Sequence, residues 1–170
     1  KHELPEQRAE LYATYVDVLL GERLKEEEGA EAVSILGSDW PEADRQLYLT
    51  YAAFRVHEGV AQEQGSVTDR DALAVVDRTT LERDILAPFM AQNEVLPGTP
   101  QQVKRQAEGK AREFVTLMAE RSGLLHSHPE GYTFGDHLTL QEFLAALYLM
   151  ENCHGQERID FLEAHVGQSW

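Results

Sequence analysis

Apolar side chains recur along this chain at intervals of three and four residues far more often than at two, a pattern that predicts helices separated by short breaks. Leu4 and Pro5 open the first helix, with Glu6 in its first turn. Leu11, Tyr12, Tyr15, Val16, Leu19 and Leu20 then form a single stripe expected to be buried. The charged stretch RLKEEEGAEA follows and reads as a solvated end. Ser38, Asp39, Trp40 and Pro41 mark a second entry. Leu47, Tyr51, Ala53 and Phe54 carry its apolar face to about Gly59. After a break at EQGSVTDRDAL, Thr68 is the next cap, with a short helix over 69–76. RTTLERDILAPFMAQN predicts a further helix that Pro88 bends or ends, and NEVLPGTP is a loop by composition.

The clearest helix starts at Thr99, with Pro100 in its first position and Gln102 where a capping box needs its partner. Val103, Ala107, Ala111, Phe114, Val115 and Met118 line one side, and Gly123 stops it. Two short extended pieces, GLL and YTF, are joined by HSHPEG and predict a hairpin. The last well-marked helix is expected from Thr139, where Thr139-Leu140-Gln141-Glu142 has the form of a second capping box. Phe143, Leu144, Leu147, Tyr148 and Leu149 wrap nearly its whole circumference, which places it in the middle of a domain. The fold expected is mainly α: a winged-helix-like domain with one short β-hairpin, flanked by helical segments of neighbouring domains. The boundaries expected are 1–37 for the end of a preceding helical domain, 38–153 for the winged-helix-like domain, and 154–170 for the interrupted start of a second helical domain.

Charge narrows the function. Asp and Glu outnumber Lys and Arg 30 to 15, for a net charge of −15, which repels phosphate backbones and anionic membranes. The single cysteine, Cys153, excludes an internal disulfide and fits a reducing compartment. The longest apolar run, 143–150, is far short of the roughly 20 residues a bilayer crossing needs. The expected location is the cytoplasm.

Candidate chemistry is sparse. The only Gly-Lys pair, Gly109-Lys110, has Lys104 where a phosphate-binding loop needs its first glycine. No nucleophile elbow, H-E-x-x-H or Cys-x-x-Cys occurs, so no active site is expected within the chain. His126, His128, His137 and His154 with Cys153 could be assembled on paper into a zinc site; the plainer reading is a turn that exposes polar residues. His137 is the stronger candidate. It stands just before a helix start, where outward-pointing amides attract anions, phosphate above all. On residue chemistry alone it could equally cap its own helix or pair with Asp136.

RSGLL followed by YTFGDHLTLQEFLAALYL resembles the end of the winged-helix domain in NACHT-type signal-transducing NTPases of the STAND class. The likeness falls on Phe134, His137, Thr139, Leu140, Gln141, Glu142, Phe143, Ala145 and Ala146. The opening LPEQRAELYATYVDVLL is similar to the helix that closes the first helical domain after the NTPase core. Gly135 and Asp136 separate the Phe from the His, where the family commonly has one residue. The resemblance implies that His137 reaches the β-phosphate of ADP in the preceding NTPase domain and holds the molecule closed. Phe134, Asp136, Thr139, Gln141, Glu142 and Phe143 would support it. Exchange for ATP, after a downstream sensor meets its ligand, would release the latch and allow homo-oligomers to form; in bacteria the class is often tied to antiviral defence. On this reading the chain holds no cofactor, ADP or ATP with Mg belongs to the parent NTPase, and neither nucleic acid nor membrane is a partner. The competing readings are a nucleic-acid-binding winged helix, disfavoured by a wing without Lys or Arg, and a metal-dependent hydrolase.

Overall fold

The computed structural model describes residues 3–18, 40–63, 75–135 and 138–164. The first helix forms as α1, Glu3–Asp17. Its apolar stripe is only half used. Val16 is buried and Tyr12 packs against the core, whereas Leu11 and Tyr15 face solvent. The period of three and four places residues on a helix but does not say how much of the stripe a neighbour covers. Leu19, Leu20, the segment 23–32 and the capping pair Ser38 and Asp39 lie outside the described residues.

Helix α2, Glu42–Glu63, runs beyond the expected stop at Gly59. The carbonyl of Pro41 accepts the Arg45 N–H at 3.0 Å and closes the first turn. Trp40, expected only as part of an entry signal, is a central core residue at 1% exposure. Its ring lies 5.4 Å from Phe114 and 5.9 Å from Tyr48, with the Lys110 ammonium 5.3 Å above it.

The helix expected over 69–76 does not reach its end. Residues 64–74 lie outside the described residues, and Val76 is extended: its N–H donates to Tyr132 O at 2.9 Å and its carbonyl accepts the Tyr132 N–H at 2.8 Å. Asp77 then caps the following helix by accepting the N–H groups of Thr79 and Thr80 at 2.9 and 3.1 Å. That helix continues as a π-helical stretch, Thr80–Leu86, into α3, Ala87–Asn93. Pro88 therefore does not end it. The ladder changes just ahead of the proline: the Ala87 N–H reaches back five residues to Glu82 O, and Pro88 takes a first-turn position where no N–H is needed.

Helix α4, Pro100–Leu117, shows the predicted capping box, with Gln102 N–H on Thr99 Oγ1 and Thr99 N–H on Gln102 Oε1. It passes through a π-helical turn, Met118–Ser122, and stops at Gly123 in the left-handed region, φ 69°. Of the predicted face, Ala107, Ala111, Phe114, Val115 and Met118 are fully buried and Val103 is half-buried. Strands β1, Leu125–His128, and β2, Gly131–Phe134, form an antiparallel hairpin that turns at Pro129-Glu130. The strands extend into HSH, so the turn is tighter than expected. Val76 adds a third edge beside β2. Gly131 makes this possible: at φ 152° a Cβ there would strike the Val76 carbonyl and come within 2.8 Å of Asp77 Cα. Gly131→Ala should lose both bridge bonds and add backbone strain, about 2–4 kcal/mol together, visible as a lower urea midpoint. An unchanged midpoint would show that the bridge contributes nothing.

Helix α5, Leu138–Asn152, packs along α2 through Tyr51 and Tyr148, with centroids 5.3 Å apart, and Phe54 and Tyr148, 5.1 Å apart. It begins one residue before the expected cap, so Thr139 is already inside the first turn, exposed, and is not an N-cap residue. Its circumference is also less uniformly covered than expected, since Ala146 and Met150 are exposed. Helix α6, Gly155–Ala164, follows, and Arg158 ties the two by donating to Cys153 O and Met150 O, both at 2.8 Å. A cation there meets the carbonyl end of α5, where the helix dipole favours it. Helix, bridging edge, two helices and hairpin, in that order, make a winged helix, mainly α as expected.

Burial pushes the His57 imidazole of α2 below its ordinary value. The unfolded chain then takes up the proton first, at about pH 6.5, and stability falls as pH drops through that value. Denaturant midpoints between about pH 7.5 and 5.5 should fall more steeply for the parent than for His57→Gln; parallel slopes would remove His57 from the account.

Candidate functional site

The candidate site is the join between β2 and α5. Phe134, the last residue of β2, is buried opposite Leu125. Gly135 follows in the left-handed region, φ 70°, and its N–H donates to Leu124 O at 3.0 Å. A Cβ on Gly135 would approach Leu140 Cδ2 to 2.7 Å, so glycine lets the chain turn directly over the first turn of α5. Thr133 Oγ1 donates to Gly135 O at 3.1 Å and braces the same turn. Thr133 carries no local mark of this role, and Gly135 is more than a spacer between Phe134 and His137.

Asp136 and His137 lie outside the described residues. The sequence places His137 directly before Leu138, the first residue of α5, and not two residues ahead of the helix. The first amides of a helix have no partners within it, whichever residue precedes them. Of the expected supporting side chains, Phe134 and Gln141 turn inward, Thr139 stands at the surface, and Glu142 and Phe143 are half-buried. Phe143 packs 5.6 Å from Tyr12, which fastens α1 to α5. Burial raises the Glu142 carboxyl above the usual carboxylate range. Gln141 is 1% exposed, and its Nε2 has no hydrogen-bond partner among the described residues. An unmet buried donor costs about 1–3 kcal/mol, and packing does not explain it.

The other candidate histidines do not converge. His126 Nε2 donates to Gly123 O at 2.8 Å, and His128 Nδ1 accepts the Glu130 N–H at 3.3 Å. Among the described residues no three His, Cys, Asp or Glu side chains could hold a metal ion together. Arg78 lines a surface cleft with the wing residues His128 and Tyr132, and its Nε is held by Glu82 at 2.6 Å. Among the described residues no helix is long and apolar enough to cross a membrane.

A family model described as the winged helix-turn-helix domain C-terminal to NACHT matches residues 8–149. The chain belongs to this family. No curated protein and no solved structure matched the chain in the corresponding comparisons. The NACHT-associated domain thus has its β2–α5 join within the matched residues, together with α1 from Arg8 onward, and it is by family a module that follows a NACHT domain in the polypeptide.

Proposed function

We propose that this NACHT-associated domain is the nucleotide-dependent clamp of a signalling NTPase. His137, at the mouth of α5, contacts the β-phosphate of ADP held by the preceding NACHT domain and stabilises the closed state. Exchange for ATP removes that contact, frees the domain to move and permits self-assembly of the parent protein. ATP hydrolysis, with Mg, belongs to the NACHT domain, and the chain itself contributes no catalysis. On this reading the parent acts in the cytoplasm, in immune or antiviral signalling.

The observation that supports this reading is how firmly the start of α5 is mounted. Phe134 anchors the strand, Gly135 folds over Leu140, and the helix behind is built into the core by Leu140, Leu144, Ala145 and Leu149. Anions favour such a helix mouth, whose first amides have no partners within the helix. Contact with a phosphate can bias two states only through a difference in energy between them, so the contact must be made in one and lost in the other.

Amide hydrogen exchange at residues 138–142, in a polypeptide carrying both the NACHT domain and this one, tests the reading. With ADP bound, those amides should exchange about tenfold or more slowly than with a non-hydrolysable ATP analogue. Equal exchange in the two nucleotide states would remove the clamp.

A further inference from the structure

Residues 75–122, which hold α3, α4 and the turns around them, carry seven cations and seven acids, in a chain of 15 and 30. The acid excess is absent from this stretch, and its cations are grouped. On α4, Lys104, Glu108 and Arg112 follow at four-residue steps and share one line. Arg83, from the π-helical stretch ahead of α3, meets that line. Its Nε lies 4.0 Å from Glu108, and the Lys104 ammonium lies 3.9 Å from the same carboxylate. Glu82 accepts from Arg78 at 2.6 Å and lies 3.7 Å from Arg112 Nε. The two carboxylates form a floor, 11% and 30% exposed, beneath four cations that are each more than half exposed. Of these four contacts only that of Arg78 is short enough for a hydrogen bond. Glu120 also acts on Arg78, so the surplus charge falls on Arg83, Lys104 and Arg112. Arg105, exposed and seven residues before Arg112, extends it. Between those two, Gly109 leaves the surface open: a Cβ there would meet nothing within 4 Å.

We infer that this strip docks a short acidic segment of a partner polypeptide, whose carboxylates lie along Arg83, Lys104 and Arg112. Exposed ion pairs add little to a fold, so stability does not account for four cations over two acids. An arginine fork holds a carboxylate through two parallel N–H···O bonds, and the forks of Arg83 and Arg112 are not spent on Glu108 and Glu82. Charge also selects the length of the partner. A DNA duplex carries about one charge per 1.7 Å and would run past the strip onto a chain whose net charge is −15. The wing, 125–134, has no Lys or Arg to hold it there. A short peptide ends where the strip ends. The inference does not depend on the histidine contact.

Fluorescence anisotropy of labelled hexaglutamate with the 170-residue chain tests it. Hexaglutamate should bind, and raising the salt from about 50 to 200 mM should weaken it severalfold. Arg83→Gln with Arg112→Gln should weaken binding about tenfold or more, with a melting temperature within about 2 °C of the parent. Arg55→Gln, which removes a cation of α2, should leave binding unchanged. Glu108→Gln should act in the opposite direction and tighten binding about threefold, because it frees Arg83 and Lys104; a misfolded protein would not gain affinity. Failure of the parent to bind hexaglutamate would overturn the proposal, as would a Glu108→Gln variant that gains nothing. Equal losses from Arg55→Gln and from the Arg83 and Arg112 pair would mean diffuse attraction and no site. Tighter binding of a DNA duplex of about 20 base pairs than of hexaglutamate would make the strip a nucleic-acid surface instead. Self-association of the chain, abolished by the Arg83 and Arg112 substitutions, would assign the strip to a second copy.

Discussion

Phe114→Ala should destabilise the fold by about 3–5 kcal/mol, the range for removing a fully enclosed phenyl ring. Phe114 is fully buried on α4, and its ring meets Trp40 at 5.4 Å and Tyr48 at 5.8 Å. Those two residues come from α2 and its entry, so the deletion loosens α2 from α4. The void cannot be filled cheaply. Trp40 lies under the Lys110 ammonium, and Lys110 is paired with Glu94, which also accepts the Tyr48 hydroxyl at 2.9 Å. That chain of contacts fixes both neighbours from outside and keeps them from collapsing inward. Against a typical total of about 5–15 kcal/mol the loss is large, and a melting temperature lower by about 6–20 °C should follow. Phe114→Leu keeps most of the volume and should cost much less. A drop under about 2 °C for the alanine variant would show that this aromatic cluster is not the centre of the fold.

Features set by neighbouring residues were readable in the sequence. Thr99 and Gln102 satisfy each other's backbone donors within one turn, and Gly123 accepts a left-handed conformation that other residues resist. Each needs no information from elsewhere in the chain. What depended on distant partners was missed. Val76 pairs with Tyr132, across 56 positions, and neither residue carries a local mark of that pairing. Trp40 looked like punctuation before Pro41, because its role comes from Phe114 and Lys110. Pro88 does not break its helix, since it sits where a new α-helical run begins and needs no N–H.

The site was legible to the same extent. Leu144 and Leu149 are marked as core by their spacing, and both are buried. Thr-x-x-Glu is the local signature of a cap, yet α5 starts at Leu138 and Thr139 falls inside the first turn. Gln141 is polar by composition and buried by position, a conflict that helical periodicity cannot register. The stripe on α1 spans a wide arc, and the part the core takes up holds Tyr12 and Val16.

His137→Ala should act on the parent protein and hardly on the fold. A single hydrogen bond to a charged group is worth about 1.5–3 kcal/mol. If it exists only in the ADP-bound closed state, its loss shifts that state by about tenfold to a hundredfold, at 1.4 kcal/mol per factor of ten. Supporting residues should behave differently. Phe143→Ala loosens both α1 and α5, because its ring packs on Tyr12, and so lowers thermal stability as well. The variant at His137 separates the switch from the scaffold. The decisive measurement is therefore the rate of ADP release from a polypeptide carrying the NACHT domain and this one, with His137 or alanine at that position. The account predicts release at least about tenfold faster from the alanine variant, at an unchanged melting temperature of the nucleotide-free protein. Equal release rates would contradict it.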